Sequence, residues 1–207
     1  MASLALAAVL GVTWYAYQKL VNRYTSAAPV TVSIEAPNEA QFAAANQKFE
    51  QIRTAVSARR ATAVEFTATD LNALIARHPS FSKLRDRIKV GMEKSVMQLD
   101  ASVPLSSVPF PGLSRRWLNG TLRLGLTYDD DNFALALRSA TANGLEIPVD
   151  VLQRLDATSS GSLTEWFRKW QHDDSQAEEF WEQIDSMKAI DDKLVVTTKG
   201  GEVALVW

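Results

Sequence analysis

The chain contains few residues able to do chemistry, and their spacing is poor for it. His78 and His172 are its only imidazoles, and it has no cysteine. A zinc centre or a His-based acid–base site needs several converging ligands or partners. Each histidine instead stands alone beside a helix break, with no second histidine at ligand spacing. Cysteine nucleophiles are excluded outright. Serine chemistry would need a Gly-x-Ser-x-Gly elbow, and phosphate or dinucleotide binding a glycine-rich loop; neither pattern occurs. Ser159 to Ser162 read as linker. Asp129, Asp130, Asp131 and Asn132 offer oxygen ligands for calcium, but they lack the Gly and distal Glu of a calcium-binding hand and fit a hairpin tip as well. A hydrolase would have to draw its carboxylate pair from Asp129 to Asp131 or from Glu178 and Glu179. No acid–base partner is apparent for either pair. The expectation is a non-enzymatic protein without metal or cofactor. Asn119-Gly120-Thr121 matches a glycosylation sequon at the start of a strand, relevant only in a eukaryotic secretory setting.

The elements that carry these residues begin with an unusual one. Residues 2 to 18, ASLALAAVLGVTWYAYQ, hold no charge, and Lys19 and Arg23 follow. About 17 helical residues cover roughly 26 Å, near the lower limit for crossing a bilayer. Trp14, Tyr15, Tyr17 and Tyr24 gather at the C-terminal end, where amphipathic rings favour a membrane–water interface. A single-pass anchor over 1–24 is the leading reading. The alternatives are a cleaved signal peptide, with small residues at Ser26-Ala27-Ala28, and a buried helix. Cations after the span would hold the rest of the chain in the cytoplasm.

The remainder is expected to be one domain. With 22 Lys and Arg against 24 Asp and Glu the formal net charge is −2, so nucleic acid is not an expected partner. Arg59-Arg60 and Arg115-Arg116 read as solvated pairs. Residues 25–37 read as a stalk, with Val30, Val32 and Ile34 alternating as in a short edge strand. Asn38 with Gln41 predicts an N-capped helix whose stripe is Phe42, Ala45, Phe49, Ile52 and Val56. Ala63 to Phe66 reads as a strand, Thr67 to Asp70 as a capping box, and Leu71 to Ile75 as a helix ended by His78-Pro79. Ile88 to Met92, Met97 to Leu105, Leu118 to Tyr128 and Phe133 to Leu137 alternate as strands with one dry face. Asn143-Gly144 is a turn leading into Leu145 to Ile147. A strand meander is the simplest topology. A short helix from Pro148 to Leu155, a flexible link near 157–162, helices over Leu163–Trp170 and about Ser175–Met187, and a hairpin at Asp191-Asp192 complete the chain. The fold class is therefore α+β: a mostly antiparallel sheet with helices packed on one face, over 38–207, preceded by a transmembrane helix.

Two groups of apolar residues are candidate contacts. The segment Ser106 to Trp117 sets Val108, Phe110, Leu113 and Trp117 among prolines and a glycine. Such side chains either fold back on the sheet end or meet lipid or a partner. Trp166, Trp170 and Trp181 lie on the late helices, as core or as the lining of an apolar cavity.

The order of these pieces resembles a loose group of uncharacterised bacterial envelope proteins with one N-terminal anchor. In that group a threonine-x-x-acidic-Leu-Asn-x-Leu-Leu/Ile helix precedes a curved sheet, as in Thr67 to Ile75 here, and some members are linked to tubular lipid-binding domains. The resemblance spans about residues 1 to 155. It implies an extracytoplasmic domain, against the local charge pattern. The leading expectation is a non-enzymatic envelope protein that binds membrane lipid or a membrane-protein neighbour through an apolar sheet face or loop. An accessory subunit of a larger membrane complex is the alternative. The sequence does not specify an oligomeric state.

Overall fold

The structure is a computed structural model, and it describes residues 14–106, 112–129, 132–148, 150 and 180–200. Helix α1 occupies 14–24, α2 Glu39–Ser57 and α3 Ala68–Arg77, with a 3-10 turn at Pro79–Leu84. The strands are β1 Thr62–Thr67, β2 Ile88–Glu93, β3 Val96–Pro104, β4 Trp117–Asp129, β5 Asn132–Ala142, β6 Leu145–Glu146, β7 Ile184–Ile190 and β8 Lys193–Thr198. The protein is α+β with one large, wholly antiparallel sheet.

The hairpin β4–β5 is the spine of this sheet. Gly120↔Ala142 and Asp129↔Asn132 mark its ends, with one register shift at Arg123/Leu124. The opposite edge of β4 carries two partners in series: β3 pairs with Trp117 to Leu124, and β7 with Thr127 to Asp129. Each begins a wing, β3–β2 on one side and β7–β8–β1 on the other. The wings meet tip to tip, where the Ser95 N–H donates to the Asp191 carbonyl at 2.7 Å and the Asp191 N–H to Ser95 Oγ at 2.9 Å. A meander describes β2 through β6 only. The second wing is added by the end of the chain, and β1 joins it through β8.

Alternation puts Leu122, Leu124, Leu126 and Tyr128 of β4 on one face. There they meet Val64 and Phe66, Val90, Met97, Ile184, Leu194 and Val196 from the wings, and Ala45, Ile52, Ala73, Leu74 and Ile75 from α2 and α3. Both helices start at the capping boxes their sequences announce: Asn38 with Gln41, and Thr67 with Asp70. Helix α3 links the outermost strands, β1 and β2. Asn72 on α3 treats the edge of β2 as a strand would, donating to the Val90 carbonyl at 2.7 Å and accepting from its N–H at 2.8 Å. One amide thereby satisfies both backbone groups that the edge would leave open.

Three sequence expectations change. The helix expected to run to Met187 ends, among described residues, at 182, and Ile184–Ile190 is strand β7. The spacing of Phe180, Trp181, Ile184 and Met187 fits a helix, but β8 needs a hairpin partner, and pairing decides. Residues 30–34 form no strand ladder. The segment expected as a stalk is laid across the sheet as a strap, described below. The expected short helix from Pro148, the link near 157–162, the helix over Leu163–Trp170 and most of residues 1–18 lie outside the described residues. Among the described residues no helix is long and apolar enough to cross a membrane.

Candidate functional site

The described candidates fall into two places. Leu113 and Trp117, both half-buried, stand at the start of β4 beside α1. Trp181, also half-buried, packs on Tyr128 at a ring distance of 5.6 Å and joins the main core. At about 3.3 Å per residue, Trp117 and Tyr128 are about 35 Å apart along β4. The structure does not bring the two groups together. Val108, Phe110, Trp166 and Trp170 lie outside the described residues.

The α1 end of the domain is assembled from four segments. Helix α1 closes with Val21 and Thr25 buried, the Thr25 hydroxyl donating to the Val21 carbonyl at 2.6 Å. Ser26 then bridges Trp117, each N–H donating to the other's carbonyl at 2.8 Å. Arg116 reaches back to α1, its Nη2 donating to the Thr25 carbonyl at 2.7 Å and its Nε to the Thr25 hydroxyl. Gly112 lies beside Gln18: a Cβ built there would be 3.7 Å from Gln18 Nε2. Gly112 takes φ +82°, a conformation suited to glycine. The stretch 112–117 therefore runs back along α1 from Thr25 to Gln18. Tyr24 packs beneath with Leu118, Leu122, Leu137, Ala140, Ala142 and Ile147.

From Ser26 the strap crosses the sheet on the face opposite the core. Ser102 and Asn119 are register partners there and both are buried. The Ser102 hydroxyl donates to Asn119 Oδ1 at 2.7 Å and accepts from the Val30 N–H at 3.1 Å. Asn119 Nδ2 donates to the Ala28 carbonyl at 3.0 Å. Val32 N–H then meets the Asp86 carbonyl at 2.9 Å, and the chain rounds the edge of β2. The sequon asparagine is thus consumed in a buried pair, which leaves no room for a glycan. Where the strap enters α2, a cleft of about 350 Å³ opens among Ile34, Pro37, Ala76, Arg77, Arg85 and Asp86. Neither Trp117 nor Trp181 lines it.

The charges divide sharply. Lys19, Arg23, Arg87 and Arg115 are exposed around the α1 end. Arg87 stacks over Trp117 at 5.2 Å and Arg23 over Tyr24 at 5.6 Å. None of the four is in an ion pair among the described residues. Glu146 is a carboxylate at this end, and it is in no ion pair with those cations. In the other wing and on the helices, cations are matched: Lys193 with Glu65 at 2.7 Å, Lys188 with Asp129 at 2.6 Å and Lys48 with Asp70 at 2.6 Å.

The titratable residues singled out in the sequence do structural work where they are described. Burial pushes the Asp70 carboxyl up, but hydrogen bonds from Lys48 and from the Thr67 N–H and hydroxyl outweigh it and hold it below the ordinary carboxylate range. The hydrogen bond from Lys193 lowers Glu65, and its counterpart raises Lys193. His78 Nδ1 accepts from the Ser80 N–H at 3.2 Å, and the ring packs against Phe49 at 4.8 Å. Asp129 is held by Lys188; Asp130, Asp131, His172, Glu178 and Glu179 lie outside the described residues. Among the described residues no group of three His, Asp or Glu is placed to share a metal ion.

Sequence reasoning missed the cation cluster. Arg115 and Lys19 are far apart in the chain, and only the strand bridge at Ser26 brings them to one end. Comparison with family models, with curated proteins and with solved structures found no match to this chain.

Proposed function

We propose that this is a membrane-anchored, non-enzymatic protein of the cell envelope that binds lipid or a membrane-protein neighbour through the segment beside its anchor. The observation that carries the reading is continuity. The charge-free run of residues 2–18 leads into α1, and α1 is bonded to the domain at Thr25 and Ser26 with no free linker. An anchor joined in this way would hold the 112–117 stretch at the bilayer surface, where the rings of Trp117 and Tyr24 are at home. Leu113 is the apolar side chain this stretch would offer, and Val108 and Phe110 precede it in the sequence. The structural roles of Asp70, Asp129 and His78 support a non-enzymatic reading. Trp181 packs in the main core and is left out of the contact.

A second reading, an accessory subunit of a larger membrane complex, draws on α1 itself. Trp14, Tyr15 and Leu20 are 54%, 71% and 51% exposed, and a neighbouring helix would cover them as well as lipid does.

One experiment separates the two. The photo-reactive residue p-benzoylphenylalanine replaces Leu113 in the full chain, and intact cells are irradiated. Adducts to phospholipid support the leading reading, and one dominant protein adduct supports the second. An absence of both, with a photoprobe at Trp14 equally silent, contradicts both.

A further inference from the structure

We infer that the α1 end of the domain is a docking surface for anionic phospholipid headgroups, built from Lys19, Arg23, Arg87 and Arg115 around Trp117. This deepens the proposed function and rests on its anchor.

Three observations converge on it. First, depth. Lys19 and Arg23 lie one turn apart on one side of α1, immediately after the charge-free run. If the run occupies hydrocarbon, these two cations stand at headgroup level. The 112–117 stretch runs back along α1 from Thr25 to Gln18, so Arg115 and the Trp117 ring share that level. Second, availability. All four cations are exposed and none has a carboxylate partner among the described residues. Arg59, Arg60, Lys83, Lys89, Arg123 and Arg138 are also exposed and outside the ion pairs, so what sets this group apart is its gathering beside α1 and Trp117 rather than its want of partners. Third, charge segregation. The chain as a whole is slightly acidic, at −2, which would repel an anionic surface; the clustering reverses the sign locally. Arg87 and Arg23 lie over aromatic rings, an arrangement that keeps a guanidinium in place while its edge stays open to phosphate oxygens.

The surface commits to one occupant, the phosphates of an acidic leaflet. Attraction of basic residues beside a span to such a leaflet falls off within a Debye length. The cluster therefore acts only when the anchor holds it close, as the bonded α1 does.

The test uses the absence of native cysteine. Full-length Ser114→Cys and, as a distant control, Asp192→Cys are labelled with the polarity-sensitive dye NBD. They are reconstituted into vesicles of phosphatidylcholine alone or mixed with phosphatidylglycerol. Flotation reads the anchor, and dye emission reads docking. The expected result is flotation with both vesicles and a blue shift at position 114 only in the phosphatidylglycerol vesicles. That shift disappears in high salt and in the Arg23→Glu/Arg115→Glu background, while the label at position 192 is unchanged throughout. Equal emission at 114 in both vesicles, or a shift that survives charge reversal, overturns the headgroup surface and leaves the anchor standing. Failure to float with either vesicle overturns the anchor, and the docking surface with it.

Discussion

The wing formed by β7, β8 and β1 and the end of the domain beside α1 solve the same problem by different chemistry. The wing is held by apolar contact: Ile184, Leu194, Val196, Val64 and Phe66 are buried under α2 and α3. Its exposed lysines face carboxylates. The α1 end has a smaller apolar cluster and relies on neutral hydrogen bonds. Ser102, Asn119, Ser26 and Thr25 knit strap, helix and strands together. Its cations take little part: apart from Arg116, they hold nothing in place except by stacking. A surface whose charges are not needed for folding has them available for something else. That is the physical content of the contrast.

Changes at the spine should break the contrast most severely. A Cβ on Gly120 would fall 1.8 Å from the Thr141 carbonyl oxygen, and both are backbone-held. Gly120→Ala is expected to cost about 3 kcal/mol through overpacking, read as a lower urea midpoint with loss of the Tyr24 cluster. Asn119→Leu comes next. It strips the partner from the Ser102 hydroxyl and from the Ala28 carbonyl, an expected loss of about 2 kcal/mol. Limited proteolysis should then cut within 25–36 while the wing stays intact.

A smaller effect is expected at Asp70. Its carboxyl is held below its ordinary value, so the stability it contributes is full above the unfolded carboxylate range and is lost as pH falls through the lowered folded value. Asp70→Asn keeps a side chain able to accept from the Thr67 N–H but loses Lys48, at a cost of about 1 kcal/mol. Acid titration of the unfolding midpoint should show a shallower decline in the variant. The smallest change belongs to Arg23→Gln with Arg115→Gln. Neither side chain is in an ion pair, so the midpoint should match the parent within error. A substantial loss would show that these cations hold the fold, and the contrast would fail.

Much of the scaffold was legible because its signals are local. The capping boxes at Asn38 and Thr67, the alternation through β2 to β5 and the Asn143-Gly144 turn, with φ +51° and +74°, all lie within a few residues of what they specify. Asn72 of the helix motif, a residue expected to satisfy backbone where helix meets sheet, does so by bonding the β2 edge. The division of β4's edge between two wings was not legible, because it depends on pairing partners distant in sequence. Strand β7 was hidden by a spacing that suits a helix equally well. Leu113 and Trp117 could be named together because one segment carries them. The separation of Trp181 from them required the length of β4, and the cation cluster required the strap.

Alkaline carbonate extraction of membranes from cells making the full-length protein tests the central claim most directly. An anchor over the charge-free run predicts that the uncleaved chain stays in the membrane pellet. Its complete release into the carbonate supernatant, still uncleaved, would contradict the account.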